Sequence, residues 1–155
     1  MRRKGKRDCV VLWEVKMTLK MKLAVFATLL VVLPFQAEAA SCVGKTVDVW
    51  VIKGHDLTGD GLQHPDPYVK INIGEVTKQT RIIYSNAYPI WYQRLRFFEA
   101  SSSIMRIEIW EADRFTNDDH LGTCIEEMDS DGVQWSPVIC RAKDQGYVKL
   151  FYKCY

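Results

Sequence analysis

The chain of 155 residues carries 21 Lys or Arg against 19 Asp or Glu, a formal net charge of +2, and is 48% hydrophobic. That length holds one domain plus short extras. The charge is uneven: residues 1–22 hold eight basic and two acidic side chains, whereas residues 40–155 hold 13 basic and 16 acidic. The part able to fold is mildly acidic, which excludes nucleic acid as a partner.

In chain order the first element is a leader. Basic residues precede an apolar run at residues 23–35, broken by Pro34, and Ala37 and Ala39 follow it, placed for cleavage before Ala40. This is the layout of a secretory signal peptide. The run rises only about 20 Å as a helix, short of the roughly 30 Å hydrocarbon core, so a spanning anchor is disfavoured. Residues 1–39 are assigned to a secretory leader and 40–155 to one folded domain, secreted and extracellular, with secretory granules as a route.

Cleavage there removes Cys9 and leaves Cys42, Cys124, Cys140 and Cys154, an even number in an oxidising compartment. Three pairings are open. Cys124–Cys140 with Cys42–Cys154 is preferred: the first closes a short loop worth about 3 kcal/mol, and the second would clip the two ends of the domain together. No Cys-x-x-Cys pair exists to support a cysteine zinc site.

Beyond Ala40 the pattern is β. Val47, Val49 and Val51 alternate with Asp48 and Trp50; Val69, Ile71 and Ile73 with Lys70 and Asn72; Met105, Ile107 and Ile109 with Arg106 and Glu108; and Val148, Leu150 and Tyr152 keep the same period. Period-two runs with one apolar face predict half-buried antiparallel strands. Less regular strands are expected over 77–83, 90–98, 121–126 and 135–140. Gly59, Gly61, Pro65 and Pro67 punctuate one loop, Gly74-Glu75 reads as a hairpin turn, and residues 86–89 and 129–132 as polar turns. Eight short strands so spaced predict an all-β, eight-stranded antiparallel sandwich. Trp50, Trp91 and Trp110 belong to its core or sheet faces.

Two loops carry the chemistry. Glu111, Asp113, Asp118 and Asp119 fall within nine residues, and Asp60 and Asp66 lie in an earlier loop. Carboxylates so dense repel one another, and a chain keeps them together mainly when a cation sits between them. Calcium takes six to eight oxygen ligands, so these acids predict a calcium site. The run Asp56-Leu-Thr-Gly-Asp-Gly imitates the start of an EF-hand loop, but Pro67 occupies the twelfth position, where a bidentate Glu is needed, and strands flank it. His55, His64 and His120 lie beside the acidic loops and read as turn residues. No Gly-x-Ser-x-Gly or His-Asp-Ser arrangement is present, so the chain is not expected to be an enzyme.

Three motifs in order carry a resemblance: Pro-Asp-Pro-Tyr-Val-Lys-Ile from Pro65, Asn-Ala-Tyr-Pro-Ile-Trp from Asn86, and Trp-Glu-Ala-Asp-Arg-Phe-Thr-Asn-Asp-Asp-His-Leu-Gly from Trp110. Over residues 45–154 the chain resembles a C2 domain. Leu-Gly-Thr-Cys at 121–124, Cys140 and the closing Gly-Tyr-Val-Lys-Leu-Phe-Tyr-Lys-Cys are similar to the perforin type, without its pore-forming domain. The resemblance implies calcium ligands at Asp60, Asp66, Glu111, Asp113 and Asp119. Asp118 and the carbonyls of Gly59, Ala112 and Asn117 would assist. Glu111 stands where the family usually has Asp, one methylene shorter.

The resemblance also implies a circularly permuted (type II) strand order, with the last strand antiparallel to the first and Cys154 beside Cys42. It implies a secreted module that binds anionic or zwitterionic phospholipid membranes peripherally through calcium, in immune defence. Leu62, Arg114 and Phe115 would contact the membrane. The alternative is an extracellular protein-interaction module that uses calcium only to order its loops. A monomer is expected, with a pore-forming or other protein as companion.

Overall fold

The structure, a computed structural model, describes residues 40–59, 64–114, 116–143 and 145–155. The leader, Cys9, Asp60, Leu62 and Phe115 lie outside the described residues. Every described residue belongs to Glu38–Tyr155, the second of the chain's two units.

Period-two runs become strands wherever one parity is apolar. Those described are β1 (Ala40–Ser41), β2 (Val47–His55), β3 (Pro67–Ile73), β4 (Val76–Gln79), β5 (Ile90–Phe97), β6 (Ile104–Glu111), β7 (Asp119–Glu127), β8 (Asp129–Ser130), β9 (Ser136–Arg141) and β10 (Tyr147–Cys154). Eight form two antiparallel four-stranded sheets, ordered β5-β2-β10-β9 and β4-β3-β6-β7. The inward parities of both sheets meet in one core. Val47, Val49 and Val51 face Val69, Ile71, Ile73, Met105, Ile107 and Ile109, with Val148, Leu150 and Tyr152 from β10, all at most 2% exposed. Burying such side chains contributes roughly 1.5–3 kcal/mol each. Trp91 is buried among them, donating its indole N–H to the Arg81 carbonyl at 3.0 Å, while Trp50 and Trp110 are half-buried on opposite outer faces.

One expectation is corrected. The strand expected over 77–83 is β4, which ends at Gln79. Thr80 turns inward and is 2% exposed; its N–H donates to the Val69 carbonyl and its Oγ1 accepts from the Val69 N–H. A Thr bonded twice to β3 ends the pairing of β4 and draws the chain under the sandwich. A two-stranded ribbon, β1 with β8, also joins the eight strands; two residues are too short to show a period.

The last strand does lie antiparallel to β2, with Cys154 opposite Val47 and Tyr147 opposite His55. Cys42 is bonded to Cys154 and Cys124 to Cys140, each with Cα atoms 5.6 Å apart. The first bridge ties the segment before β2 to the end of β10. The second ties β7 of one sheet to β9 of the other.

Candidate metal centre

All the acidic loops leave the same edge of the sandwich, and register explains it. Pro67 at the start of β3 pairs with Glu111 at the end of β6, and Glu111 pairs with Asp119 at the start of β7. Directly opposed residues on antiparallel strands have Cβ atoms about 4.5–5.5 Å apart. The end of one strand and the starts of two others therefore put Pro67, Glu111 and Asp119 in one row, and Asp66 immediately precedes that row.

Backbone bonds hold the loops in place. Leu57, 1% exposed, anchors the first loop as its N–H donates to the Ala87 carbonyl at 2.9 Å. Asn86 N–H reaches the Pro65 carbonyl at 2.8 Å, and Ser85 N–H donates to Asp66 Oδ1 at 2.6 Å. On the other side Ala112 N–H donates to the Asp66 carbonyl at 3.0 Å. Asp66 is thus the keystone between the second loop (residues 80–89) and the third (residues 112–118).

Gly59 brings the first loop against the third. A Cβ there would sit 2.5 Å from Glu111 Oε1 and 2.6 Å from Oε2, so any larger residue must push that carboxylate aside. Glu111 itself is 6% exposed. Asp113 and Asp119 are half-exposed, and Asp118 and Arg114 are exposed.

Asp118 is held by two donors: Tyr68 O–H at 2.6 Å to Oδ2, and Asp113 N–H at 3.2 Å to Oδ1. Burial first, and the bond to Asp118 second, push the Tyr68 hydroxyl well above the usual tyrosine range, so it stays a donor throughout ordinary pH. Sequence reasoning missed Tyr68. The signal was available: a Tyr on the outward parity of β3, next to an acidic loop. The Lys70 ammonium lies 5.3 Å from the Tyr68 ring centre and 4.3 Å from that of Trp110.

The histidines do not gather. His55 stacks on Tyr147 with centroids 5.1 Å apart, His120 meets Trp110 edge-on at 4.9 Å, and His64 is exposed. A cavity of about 260 Å³ opens between the first loop and β7, lined by Thr58, Gly59, Asp119, His120 and Lys143 among others. Lys143 Nζ closes its rim by donating to the His120 carbonyl at 2.9 Å.

The donor set is all hard oxygen, which fits calcium and not a softer metal. Carboxylate oxygens accepting one hydrogen bond keep a second lone pair, so Asp66 and Asp118 remain able to ligate. Among the described residues, however, no three acids or histidines surround a single point. Asp60, the other acid expected in this set, lies outside the described residues.

The C2 domain family model matches residues 45–138. This chain belongs to the C2 domain family. Among curated relatives, this C2 domain is 35% identical to human Perforin-1 over 81 residues, 50% of this chain and 15% of that protein. It is 30% identical to Protein C2-DOMAIN ABA-RELATED 11 of Arabidopsis thaliana over 77 residues, 49% of this chain and 46% of that one. The chain thus spans less than half the length of either. A solved structure of a C2 domain superposes with a TM-score of 0.64 at 25% identity, covering 71% of this chain and 97% of that one. The calcium-bound tandem C2 domains of Extended-Synaptotagmin 2 superpose at 0.61 and 19% identity, covering 74% of this chain and 47% of that one, a likeness of fold alone. A C2 domain is a binding module. Human GIVD cytosolic phospholipase A2 matches over only 17% of its own chain.

Proposed function

We propose that this C2 domain is a secreted module that docks on phospholipid membranes in a calcium-dependent way, in a perforin-like role in immune defence. The observation that carries the reading is the register row Pro67, Glu111, Asp119, with Asp66 tied to both neighbouring loops. Asp60, Asp66, Glu111, Asp113 and Asp119 would hold the ions, and Asp118 with the carbonyls of Gly59, Ala112 and Asn117 would complete the coordination. Bound calcium supplies positive charge with open positions that lipid phosphate oxygens can fill. The chain's own residues do the rest. The acids keep the metal-free loops repelled from an anionic surface, Arg114 is exposed to meet phosphate, and Leu62 and Phe115 supply apolar contact. Extracellular calcium modules bind at roughly 10⁻⁴–10⁻³ M, so calcium outside cells would keep such a site substantially filled. The two disulfides support an oxidising compartment. The pairing of β10 with β2 supports the permuted, type II order.

The test is co-sedimentation with phosphatidylcholine/phosphatidylserine vesicles, in millimolar calcium and in EGTA. Binding should appear with calcium and be lost in Asp113→Ala. Binding that ignores EGTA refutes the calcium bridge. A calcium titration that saturates with no vesicle binding supports instead the protein-interaction module with calcium-ordered loops.

A further inference from the structure

The two sheets differ sharply in charge. The strands of β5-β2-β10-β9 carry six basic residues (Lys53, Arg94, Arg96, Arg141, Lys149, Lys153) and one acid, Asp48. Those of β4-β3-β6-β7 carry three basic residues and five acids. The mild acidity of residues 40–155 as a whole conceals this division. Five of the six alternate with the buried residues of their strands, and Lys53 joins them on the outer face through the register shift between Val51 and Lys53. Among the described residues only Arg96 of the six forms an ion pair, clasping Asp48 at 2.7 and 2.8 Å. Lys53 and Lys149 stand directly opposite each other across β2 and β10. Like charges so placed destabilise a sheet, and an anion lying over them would relieve the cost.

Between the cations lies an aromatic platform. Trp50 is opposite Arg94 on one side and Phe151 on the other. Trp135, just before β9, brings its ring to 6.0 Å from Trp50, and Tyr92, 64% exposed, lies 6.4 Å away. The Arg94 guanidinium is 5.8 Å from the Trp50 ring centre and 5.2 Å from that of Trp135. Four strands at about 4.8 Å spacing make a face roughly 14 Å wide.

The chemistry narrows the occupant. Residues 1–22 are basic and would be repelled, and a second copy presenting the same face would be repelled too. Trp50 and Trp135 are half-buried and pack beside one another across the sheet, so they offer stacking surface, not wedges for hydrocarbon. Aromatic faces accept the apolar C–H face of a pyranose ring, and cations beside them take sulfate or carboxylate. The two disulfides favour an oxidising compartment, whose polyanions are mainly acidic glycans. We propose that this face binds a sulfated or uronate-bearing polysaccharide, its sugar rings stacked on Trp50, Tyr92 and Trp135 and its anionic groups held by Arg94, Lys53 and Lys149. The calcium loops take no part in it.

The test uses the full chain in EGTA, titrated with a heparin hexasaccharide and followed by tryptophan fluorescence. The triple variant Lys53→Gln/Arg94→Gln/Lys149→Gln keeps the basic residues 1–22, so it isolates the face. Its affinity should fall at least tenfold, with a melting temperature no lower than the parent's showing that it folds. Tyr92→Ser should weaken binding through lost stacking alone, and Asp113→Ala should bind like the parent. Equal binding by parent and triple variant overturns the proposal. So does an oligothymidylate that competes as well as the hexasaccharide, which would point to nucleic acid. Sedimentation with phosphatidylserine vesicles in EGTA, lost in the triple variant, would assign the face to a bilayer instead.

Discussion

Gly59→Ala tests whether the first and third loops are packed as described. The added Cβ would lie 2.5, 2.6 and 2.8 Å from the two oxygens and the carbon of the Glu111 carboxylate, where ordinary contact begins near 3.4 Å. About 0.9 Å must be found, and Glu111, 6% exposed between Pro67 and Asp119, has little room to yield. Overpacking of this kind costs roughly 1–3 kcal/mol. For about 116 residues, at roughly 2.1 cal/mol/K of unfolding entropy each, that lowers the melting temperature by about 4–12 °C. Calcium–oxygen distances span only about 2.3–2.6 Å, so the displaced loop should also lose calcium affinity by at least about tenfold. Glu111→Asp draws the carboxylate back by one methylene. In that background Gly59→Ala should cost less than about 0.5 kcal/mol, a coupling read from a double-mutant cycle by thermal unfolding and calorimetric calcium titration. Equal losses in both backgrounds would show that the clash is not what makes Gly59 necessary.

The remaining contacts set three other outcomes. Removing Cys42–Cys154 as a double Ala variant should destabilise by about 5 kcal/mol, against about 3 for Cys124–Cys140, because the closed loops span separations of 112 and 16 residues; denaturant melts should preserve that order. The Arg96 guanidinium first, with Tyr155 and Arg94 adding to it, holds the buried Asp48 carboxyl below its ordinary 3.8 despite desolvation. The folded value being the lower, this stability is complete above pH 3.8 and drains away as the pH falls through the folded value. Asp48→Asn should therefore melt lower than the parent at pH 7, by about 1 kcal/mol after discounting for the exposed Arg96, and the gap should close as the pH falls through the folded value of Asp48. Tyr68→Phe removes a donor to Asp118 and should cost no more than about 1.5 kcal/mol while changing calcium affinity, since Asp118 is then free to turn; an unchanged titration would remove Asp118 from the site.

Residue order alone determined a good deal. Alternation in 47–51, 69–73, 105–109 and 148–152 fixes four strands and their buried parity, because a period of two can satisfy only a half-buried sheet. Cysteine spacing and the three motifs carried both disulfides and the family. The acids of the metal centre were visible as a local density of like charge. Other features needed the third dimension. Thr80 ends β4 through bonds to Val69, eleven residues away, and no local pattern marks it. Tyr68 reaches Asp118 across fifty residues. Trp50, Arg94, Lys149 and Trp135 come from four separate stretches and share one face only once β2, β5 and β10 are in register. Sequence records parity along a strand. Which strands become neighbours, and hence which charges and rings combine, depends on long-range pairing that no single segment encodes.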